Sequence, residues 1–292
     1  MSTEQAELAG LQKVTVIVVT FESAHCLAAL VPLLAACPQV IVVDNASSDG
    51  SLDLARRLFP HAQLHACAAN LGFGAACNRA LDQVRTPLAF LLNPDALLEP
   101  GDLALLVQES QRFPDAAVLA PQLRSAHGAI DLSYRWPSNR WSARGPPALG
   151  PLCVGFASGA ALLLVLSNMG QASRFDERFF LYYEDEDLCL RLFAQRSPIL
   201  LIPQVQAQHR GRSSVGGRQA LRGEYLRGYH HAQSKIHFAQ KHASPRAAVS
   251  LRWRTLLIAV LAWPLRVLLF SPRHVARLSG RILGLVFWRP HE

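Results

Sequence analysis

Runs of β-branched and other apolar residues alternate with helix-like segments through the first hundred residues. Residues 14–21 predict a strand that is buried on both faces, and 39–50 predict a second buried strand that runs into a polar turn. A short strand is expected near 63–67, and 86–96 predict a third strong strand that ends in a proline-acid turn. The segments between them have apolar residues at helical spacing, at 24–37, 51–59 and 70–84. This alternation predicts an α/β fold with an open, mostly parallel sheet flanked by helices. In such sheets, ligands bind at the carboxyl ends of the strands.

The second half of the domain is less regular. The 15 uncharged residues 152–166 contain glycine and serine, and they predict a buried strand or strand–helix junction rather than a membrane span. The segment 174–196, RFDERFFLYYEDEDLCLRLFAQR, predicts an aromatic strand that turns helical at Leu188. Residues 197–214 predict a strand followed by a basic loop.

Nearly all of the net positive charge lies at the end of the chain. The net charge is +8, but residues 1–243 hold 21 basic and 20 acidic residues, whereas 244–292 hold eight arginines and only Glu292. We therefore predict a lead-in over 1–12, a main domain over 13–243 and a basic amphipathic helical region over 244–292. The uncharged run 255–265 is about half the ~20 residues that a spanning helix needs, so we expect association with an anionic membrane surface. A helical pair that packs on the core or on a second copy, in a homo-oligomer, is the alternative.

Three polar side chains fall at predicted strand ends: Asp44, Asn70 and Asp95. A carboxylate at the position of Asp95 can bind a divalent cation, which in turn holds a diphosphate. An aspartate after proline is also ordinary in a tight turn. Asp44 can accept hydrogen bonds from a nucleotide, or cap the DNASSDGS turn, and the two roles are compatible.

Four consecutive carboxylates follow the aromatic run FFLYY, from Glu184 to Asp187. Like charges beside apolar rings have raised pKa values, which suits a general base. Asp187 can pair with Arg191 at i+4, which makes it the structural member and leaves Glu184 and Asp185 for chemistry. A solvated helix N-terminus with acids that complement the dipole is the alternative.

A basic loop, QHRGRSS, carries His209 with Arg210 and Arg212. A neutral imidazole suits a divalent metal, and guanidinium groups suit phosphate. The six cysteines have neither CxxC nor zinc spacing, and no signal peptide is evident, so reduced thiols in the cytoplasm are expected.

These strings occur in an order that resembles family 2 glycosyltransferases, and in particular rhamnosyltransferase-like members with a GT-A fold, over residues 13–243. The carrying segments are VTVIVVTF, VIVVDNASSDGS, NLGFGAACNRAL, LLNPDA, SGAALL and FDERFFLYYEDEDLCLRL. The resemblance implies a nucleotide-sugar site that is formed by Thr20, Phe21, Glu22, Asp44, Asn70, Gly72, Asn78, Asp95 and Arg212. It implies Asp185 as catalytic base with Glu184 beside it, and a Mg²⁺ or Mn²⁺ ion on Asp95 and His209.

The implied reaction is inverting transfer of a sugar from a nucleotide diphosphate to a hydroxyl of a glycan or lipid-linked saccharide, in cell-surface polysaccharide synthesis. The resemblance favours dTDP-rhamnose as donor, with UDP-sugars second. It places the protein in the cytoplasm, peripheral on the inner face of the cell membrane. Many family members carry two or three acids at the metal-binding position, whereas NPDA supplies Asp95 alone. The resemblance therefore does not imply a strict dependence on metal.

Other function classes fit the sequence less well. LGFGAAC lacks the GxGxxG spacing of dinucleotide oxidoreductases. The basic charge lies in a tail rich in Arg, Leu and Trp and not on the main domain, which argues against nucleic-acid binding. A catalytically inactive scaffold or nucleotide-sugar-binding protein with the same fold remains the alternative.

Overall fold

A computed structural model describes residues 10–132, 135–136, 141–142, 146–172, 174–209 and 220–290. The chain forms two compact units. The first contains 1–71, 75–175 and 185–216, and the second contains 72–74, 176–184 and 217–292. Helix 220–242 therefore belongs to the same unit as the basic tail, and the predicted division at residue 243 stays a prediction.

The first unit is built around one large sheet. Its strands are β1 (Val14–Thr20), β2 (Gln39–Asp44), β3 (Gln63–Ala66), β4 (Leu88–Leu92), β5 (Ala96–Leu97), β6 (Val118–Arg124), β9 (Leu152–Cys153), β10 (Ala161–Val165) and β11 (Ile199–His209); β7 (Arg135–Trp136) and β8 (Trp141–Ser142) form a separate pair. The strand order is β3-β2-β1-β4-β10-β6-β11-β5, with β9 also pairing with β11. Strands β1 to β4 are parallel, and β10 is antiparallel to both of its neighbours.

The predicted helical segments 24–37, 51–59 and 70–84 each contain a helix. The helices of the described chain are α1 (Ala24–Leu27), α2 (Val31–Ala36), α3 (Ser51–Leu58), α4 (Phe73–Leu81), α5 (Pro100–Arg112), α6 (Glu184–Ala194), α7 (Ala220–His242), α8 (Pro245–Leu268) and α9 (Pro272–Val286). The segment 24–37 is not one helix, because a 3₁₀ turn at Ala28–Leu30 separates α1 from α2 just before Pro32. The prediction of an α/β fold with a mixed, mostly parallel sheet and a helical C-terminal region is confirmed.

The core lies between one face of the sheet and the helices that cover it. Alternate residues of a strand point to the same face, so Val16 and Val18 of β1 share the cluster with Phe90 of β4. Leucines from the covering helices, such as Leu34 and Leu106, fill the other side, and each is 1% exposed or less. The other faces of β1, β2 and β4 are also buried, as the apolar runs of β1 and β2 predicted.

Helix α6 begins four residues earlier than the sequence indicated. The expected helical turn was Leu188, whereas the helix starts at Glu184, so all four acids lie in its first turn. The aromatic segment before it is not a strand among the described elements. Carboxylates are favourable in the first turn because they complement the helix dipole, and this effect outweighed the strand-like aromatic pattern.

The predicted ion pair between Asp187 and Arg191 is confirmed. Arg191 Nε donates to Asp187 Oδ2 at 2.8 Å, and Arg191 Nη2 donates to the carbonyl of Arg174 at 2.8 Å. The Asp187 side chain is fully buried. The ion pair is internal to α6, and the hydrogen bond from Arg191 to the carbonyl of Arg174 ties the helix to the segment before it.

We expect Arg191→Met to lower the free energy of unfolding by about 3–5 kcal/mol, because it leaves the carboxylate of Asp187 buried without its cation. Urea unfolding followed by circular dichroism measures this. Replacing both partners, with Asp187→Leu, should recover part of the loss. Arg112→Met, at a pair whose arginine is 67% exposed, should cost less than about 1 kcal/mol. Equal losses at the two arginines would contradict the prediction.

The second unit contains α7, α8 and α9 with the segments 72–74 and 176–184. Asp176 in this unit accepts from Arg178 Nη2 at 2.7 Å and from Lys241 Nζ at 2.7 Å. Burial acts to raise the pKa of the Asp176 carboxyl, but the two cations outweigh burial and hold it below its usual range. These contacts join the segment 176–184 to the end of α7.

A carboxyl with a lowered pKa stabilises the fold above its unfolded pKa of about 4, and the contribution disappears as the pH falls through the folded value. Asp176→Asn should therefore destabilise the protein at pH 7, and the difference from wild type should shrink below about pH 4. Urea unfolding of both proteins between pH 7 and below pH 4 measures how the difference in stability changes with pH. Asp53→Asn, at an exposed pair with Arg56, should change little at any pH. A loss for Asp176→Asn that is independent of pH would refute the assignment.

Helix α8 is, in the described part of the chain, the one helix long and apolar enough to cross a membrane by length and composition. It has 24 residues, and only 11% of its most apolar window is buried. Arg252 and Arg254 lie in its first half and Arg266 near its end, and Pro264 lies within it. The exposed apolar residues surround the helix instead of forming one face, so its amphipathic character stays a prediction and its binding to a membrane a proposal.

Candidate active site

The carboxyl ends of three parallel strands define one edge of the sheet. Thr20, the last residue of β1, is in register with Asp44, the last residue of β2. The Thr20 hydroxyl donates to Asp44 Oδ1 at 3.0 Å, and the amide of Ser47 donates to Asp44 Oδ2 at 3.0 Å. Strand β4 lies on the other side of β1 and ends at Leu92, three residues before Asp95. The predicted nucleotide and metal residues therefore share one edge.

Asn45, which was not among the predicted site residues, fixes the next part of the site. Its amide nitrogen donates to Asn70 Oδ1 at 2.9 Å, and its oxygen accepts from the amide of Leu71 at 2.8 Å. Asn45 is 3% exposed, so these hydrogen bonds are protected from water. Its place directly after Asp44 at a strand end was the signal that could have identified it. The contact brings the predicted residue Asn70 next to the end of β2.

The turn after β1 is fixed by side chains of the turn after β2. The amide and hydroxyl of Ser48 donate to Glu22 Oε1 at 2.6 and 2.9 Å. The amide of Phe21 donates to Ser23 Oγ at 3.2 Å. Glu22 and Ala46 both have left-handed backbone, with φ of 53° and 64°. Such strain costs about 1–3 kcal/mol per residue and concentrates at functional sites.

The predicted site residue Asn78 has a structural contact. Its amide nitrogen donates to the carbonyl of Phe175, and its oxygen accepts from the amide of Phe175, both at 2.9 Å. Asn78 is 6% exposed, so the contact ties α4 to the segment before Asp176. Its role in nucleotide binding stays a prediction.

Gly72 belongs to the second unit and contacts the aromatic segment. Its φ is +87°, and a Cβ at this position would collide with the carbonyl oxygen of Phe180. The next amide, of Phe73, donates to that same carbonyl at 3.2 Å. Glycine is therefore required by both backbone conformation and space. Its predicted place in the nucleotide pocket stays a prediction.

Asp95 and His209 are brought together by the pairing of β5 with β11. His209 is in register with Ala96, the residue after Asp95. His209 Nε2 lies 3.6 Å from Asp95 Oδ1, and the Asp95 side chain is 1% exposed. Two ligands of one small divalent cation at about 2.1 Å stand roughly 3–4 Å apart, and carboxylate with imidazole is a suitable donor pair. The two residues fit a divalent cation whose remaining ligands come from elsewhere, and no group of three protein ligands occurs among the described residues.

Asp185 is held by two backbone amides at the start of α6. Gly159 donates to Asp185 Oδ2 at 3.2 Å, and Glu186 donates to Asp185 Oδ1 at 2.9 Å. Gly159 comes just before β10, and the carbonyl of Ala160 accepts from the amide of Asn93, which follows β4. The carboxylate of Asp185 is therefore fixed at the same edge as the chain leading to Asp95. The side chain of Asp185 is only partly buried, which leaves it accessible to a substrate.

The acidic cluster is not a solvated helix end. Glu184 is 7% exposed and Asp187 is fully buried. The two residues before Glu184 are Tyr182 and Tyr183, and each has φ of 69°. Two consecutive non-glycine residues in the left-handed region are uncommon and indicate that surrounding contacts determine the backbone. Strain is therefore concentrated immediately before the two predicted catalytic acids.

The structure brings together most of the predicted site residues of the first unit: Thr20, Asp44, Asn70, Asp95, Asp185 and His209. Gly159 and Asn45 were not predicted as individual site residues. The SGAALL string, which contains Gly159, was part of the resemblance and was the available signal. Arg212 lies outside the described residues.

Comparison with known proteins agrees with this geometry. The Glycosyl transferase family 2 model matches residues 15–165. Over 247 residues the chain is 31% identical to the N-acetylglucosaminyl-diphospho-decaprenol L-rhamnosyltransferases of two strains of Mycobacterium tuberculosis, which covers 73% of this chain and 78% of theirs. The chain belongs to glycosyltransferase family 2. It is a rhamnosyltransferase-like glycosyltransferase, which transfers sugar from a nucleotide sugar.

Solved structures define the fold class. The mannosyltransferase PcManGT from Pyrobaculum calidifontis, in complex with GDP-Man and Mn²⁺, superposes with a TM-score of 0.56 at 17% identity, over 94% of this chain and 86% of that one. GalNAc-T7 with UDP, GalNAc and Mn²⁺ gives a TM-score of 0.56 at 12% identity, over 80% and 52% of the two chains. At these identities the similarity concerns the fold, which is GT-A as expected.

Proposed function

We propose that the protein is an inverting transferase of rhamnose from a nucleotide-diphosphate sugar to a hydroxyl of a lipid-linked saccharide. The observation that carries the proposal is the convergence of Asp44, Asp95 with His209, and Asp185 at one edge of the sheet. Asp44 would bind the nucleotide, Asp95 and His209 would hold the diphosphate through a cation, and Asp185 would activate the acceptor. Their common edge gives a single site all three functions.

The donor half of the proposed site lies at the ends of β1 and β2. Asp44 receives hydrogen bonds from Thr20 and Ser47, which fix its orientation before a nucleotide arrives. Glu22 and Asn70 lie on the turns that flank it. We assign nucleotide recognition to this group, with Phe21, Gly72 and Asn78 as further members and Arg212 at the diphosphate. dTDP-rhamnose is the first donor to test, and UDP-sugars are the second.

The proposed reaction is a single displacement. The acceptor oxygen attacks the anomeric carbon, a new carbon–oxygen bond forms, and the bond from that carbon to the diphosphate breaks with inversion. Asp185 takes the hydroxyl proton, and the nucleoside diphosphate leaves with the bonding electron pair. The amides of Gly159 and Glu186 hold the carboxylate of Asp185 in the required orientation. Glu184 lies beside it as the acceptor-side acid.

Asp95 and His209 would hold Mg²⁺ or Mn²⁺ together with the donor's own phosphates. A divalent cation held there would neutralise the charge that develops on the leaving diphosphate. The relatives of known structure that share the fold contain Mn²⁺. A single protein carboxylate gives a weak site, so we expect the cation to bind tightly only with the nucleotide present.

A thermal-shift and turnover screen tests the proposed function. The protein is incubated with dTDP-rhamnose, UDP-glucose, UDP-N-acetylglucosamine and GDP-mannose, each with Mn²⁺ or Mg²⁺, and a synthetic lipid-diphosphate N-acetylglucosamine serves as acceptor. We expect stabilisation and product with dTDP-rhamnose, because the matched relatives are rhamnosyltransferases that act on a diphospho-decaprenol. Donor binding without hydrolysis or transfer would instead support the inactive-scaffold alternative.

The exposed apolar surface of α8 and α9 supports a second part of the proposal, that the protein works at the inner face of an anionic membrane. Among the described residues, the large hydrophobic side chains that α8 and the turn after it expose are Val249, Trp253, Leu257, Ile258, Val260, Leu261, Trp263, Leu265, Val267, Leu268, Leu269 and Phe270. Contiguous apolar surface of this extent marks an interaction site. Arg266 and Arg273 flank the turn, and arginine attracts anionic headgroups while its stem lies along apolar surface.

Partitioning with phosphatidylglycerol vesicles tests the membrane assignment. Leu269→Ser combined with Phe270→Ser should weaken vesicle binding by about tenfold or more, since both side chains are exposed in the turn and lose their apolar transfer energy. Phe193→Ser, an exposed phenylalanine of the first unit, is the matched control and should bind as wild type. If the double variant partitions as wild type does, the turn does not contribute to membrane binding. Packing of the C-terminal helices on the core or on a second copy would then be favoured.

A further inference from the structure

A small cavity opens in the first unit where strands β6 and β10 separate. The register of these two strands covers Leu163 with Leu119 and Leu164 with Val118, whereas β6 continues to Arg124. The cavity lies between this last part of β6 and the segment that precedes β10. Its walls include Ala120, Leu123, Phe156, Ala157, Ser158 and Ala161.

The cavity lies at the edge of the sheet that carries the predicted site residues. Strand β10 is antiparallel to both β4 and β6, so its start lies beside the carboxyl ends of those two strands. Ser158 lines the cavity, and the amide of the next residue, Gly159, donates to Asp185 Oδ2 at 3.2 Å. The cavity is therefore next to the carboxylate that we propose as the base. Its lining residues and Asp185 all belong to the first unit.

Hydrogen bonds hold the walls of the cavity on both sides. On one side, the side-chain nitrogen of Gln122 donates to the carbonyl of Asp131 at 2.7 Å, and Gln122 is almost fully buried. On the other side, the thiol of Cys189 donates to the carbonyl of Ala157 at 3.6 Å. The cavity is thus formed before a ligand arrives, which lowers the entropy cost of binding.

The size of the cavity limits what it can hold. Its volume is about 40 Å³. A cavity needs roughly 10–15 Å³ to hold one water, and one of about 150 Å³ holds a benzene ring. The cavity is therefore too small for a sugar ring and large enough for a short substituent on such a ring.

The chemistry of the walls indicates which substituent fits. Most of the lining is aliphatic or aromatic and suits a methyl group, whereas Ser158 presents a hydroxyl and is half-buried. Ser158 Oγ accepts from the amide of Ala160 at 3.4 Å, and a serine hydroxyl that accepts one hydrogen bond can also donate one. An acetamido group has a methyl for the apolar walls and a carbonyl oxygen for such a donor. The methyl group of a deoxy sugar offers the serine no acceptor.

We propose that the cavity binds the acetamido group of the acceptor sugar, with the methyl against Phe156 and Ala157 and the carbonyl oxygen accepting from Ser158. This assignment rests on the proposed function, which supplies a saccharide as acceptor. The acceptor suits the cavity better than the donor sugar does, because the neighbouring Asp185 takes its proton from the acceptor. The cavity then determines which acceptor sugar is used.

Binding of matched acceptors tests the cavity without requiring turnover. Three synthetic lipid diphosphates carry glucose, N-acetylglucosamine or N-butanoylglucosamine. Each is titrated by calorimetry into the full-length protein that is saturated with dTDP and Mn²⁺. We expect the N-acetyl compound to bind about tenfold or more tightly than the other two, because one missing or surplus methylene in an apolar pocket changes recognition by about 10–200-fold. Equal binding of the three compounds would overturn the proposal.

Two variants assign the preference to the cavity. Ala157→Val should abolish the preference for the N-acetyl compound, because its two added carbon atoms fill the space. Ser158→Ala should reduce the preference about two- to tenfold, since it removes one hydrogen bond and adds no volume. Ala104→Val on α5 is the matched control, because Ala104 is 6% exposed and Ala157 is 7% exposed. It should keep the wild-type preference. If Ala157→Val does not fold by circular dichroism, Ser158→Ala decides, and an unchanged preference in it would refute the assignment.

Kinetics separates the acceptor assignment from the proposed function. In Ala157→Val, the ratio of kcat/KM for the N-acetyl acceptor to that for the glucose acceptor should fall about tenfold or more, and the KM for dTDP-rhamnose should change little. Normal transfer with an unchanged ratio would overturn the assignment and leave the proposed function standing. A raised KM for dTDP-rhamnose with an unchanged ratio would give the cavity to the donor instead. A binding preference that Ala157→Val abolishes, in a protein that transfers no sugar, would support the cavity and refute the proposed function.

Discussion

Asp185→Asn should reduce turnover on the order of 10²-fold or more and leave donor binding unchanged. An amide cannot take the acceptor proton, and general base catalysis contributes about 10²–10⁴-fold. Asparagine has nearly the same shape and can still accept hydrogen bonds through its oxygen, so the contacts with Gly159 and Glu186 are only partly altered. The loss should therefore appear in kcat and in kcat/KM together.

The measurement combines steady-state transfer with calorimetric titration of dTDP in the presence of Mn²⁺. Glu186→Gln is the matched control, since it removes a carboxylate one residue away that has no assigned role in the reaction. It should retain turnover close to wild type. Near wild-type transfer by Asp185→Asn would exclude this residue as the base and would direct attention to Glu184.

Asp95→Asn should abolish the metal-dependent part of nucleotide binding and reduce turnover on the order of 10²-fold or more. Asp95 is the only carboxylate that the described residues place beside His209, so no neighbouring acid can replace it. The variant keeps the shape of a residue that is almost fully buried, which limits the cost to folding. What it removes is the negative charge that a divalent cation requires.

Titration of dTDP with and without Mn²⁺ checks the role of Asp95. Wild type should bind the nucleotide at least tenfold more tightly with Mn²⁺, and the variant should show no such difference. His209→Gln should give a smaller loss, because it removes a neutral ligand. Asp115→Asn, at an exposed aspartate of the same unit, should behave as wild type. A persistent Mn²⁺ effect in Asp95→Asn would place the cation on other ligands.

Much of the first unit could be predicted from local pattern. The runs at 14–21 and 39–44 are long, apolar and β-branched, and they became strands that are buried on both faces. Asp44 and Asp95 were predicted as site residues because they follow such strands. The pairing of Asp187 with Arg191 followed from helical spacing alone. Each of these predictions depends on residues close in sequence, where spacing fixes geometry.

Predictions failed where distant contacts determine the backbone. The acids were expected at a strand end, but they form the first turn of α6, since the preceding segment packs with α7 instead of joining the sheet. Ser234 donates to the carbonyl of Leu181 at 2.9 Å, and the rings of Tyr183 and Phe238 lie 5.3 Å apart. No local pattern indicated these partners, which lie more than 50 residues away.

The sequence by itself determined the strands, their polar ends and the arginine-rich tail, because hydrophobic period and charge are local properties. Only the tertiary structure decided which polar ends meet. The pairing of β5 with β11 brought Asp95 to His209 across more than 100 residues, and the backbone amide of Gly159 donates to the side-chain carboxylate of Asp185. It also gave the segment before the catalytic acids to the C-terminal unit. Contacts of this kind depend on how elements pack, and spacing along the chain does not encode them.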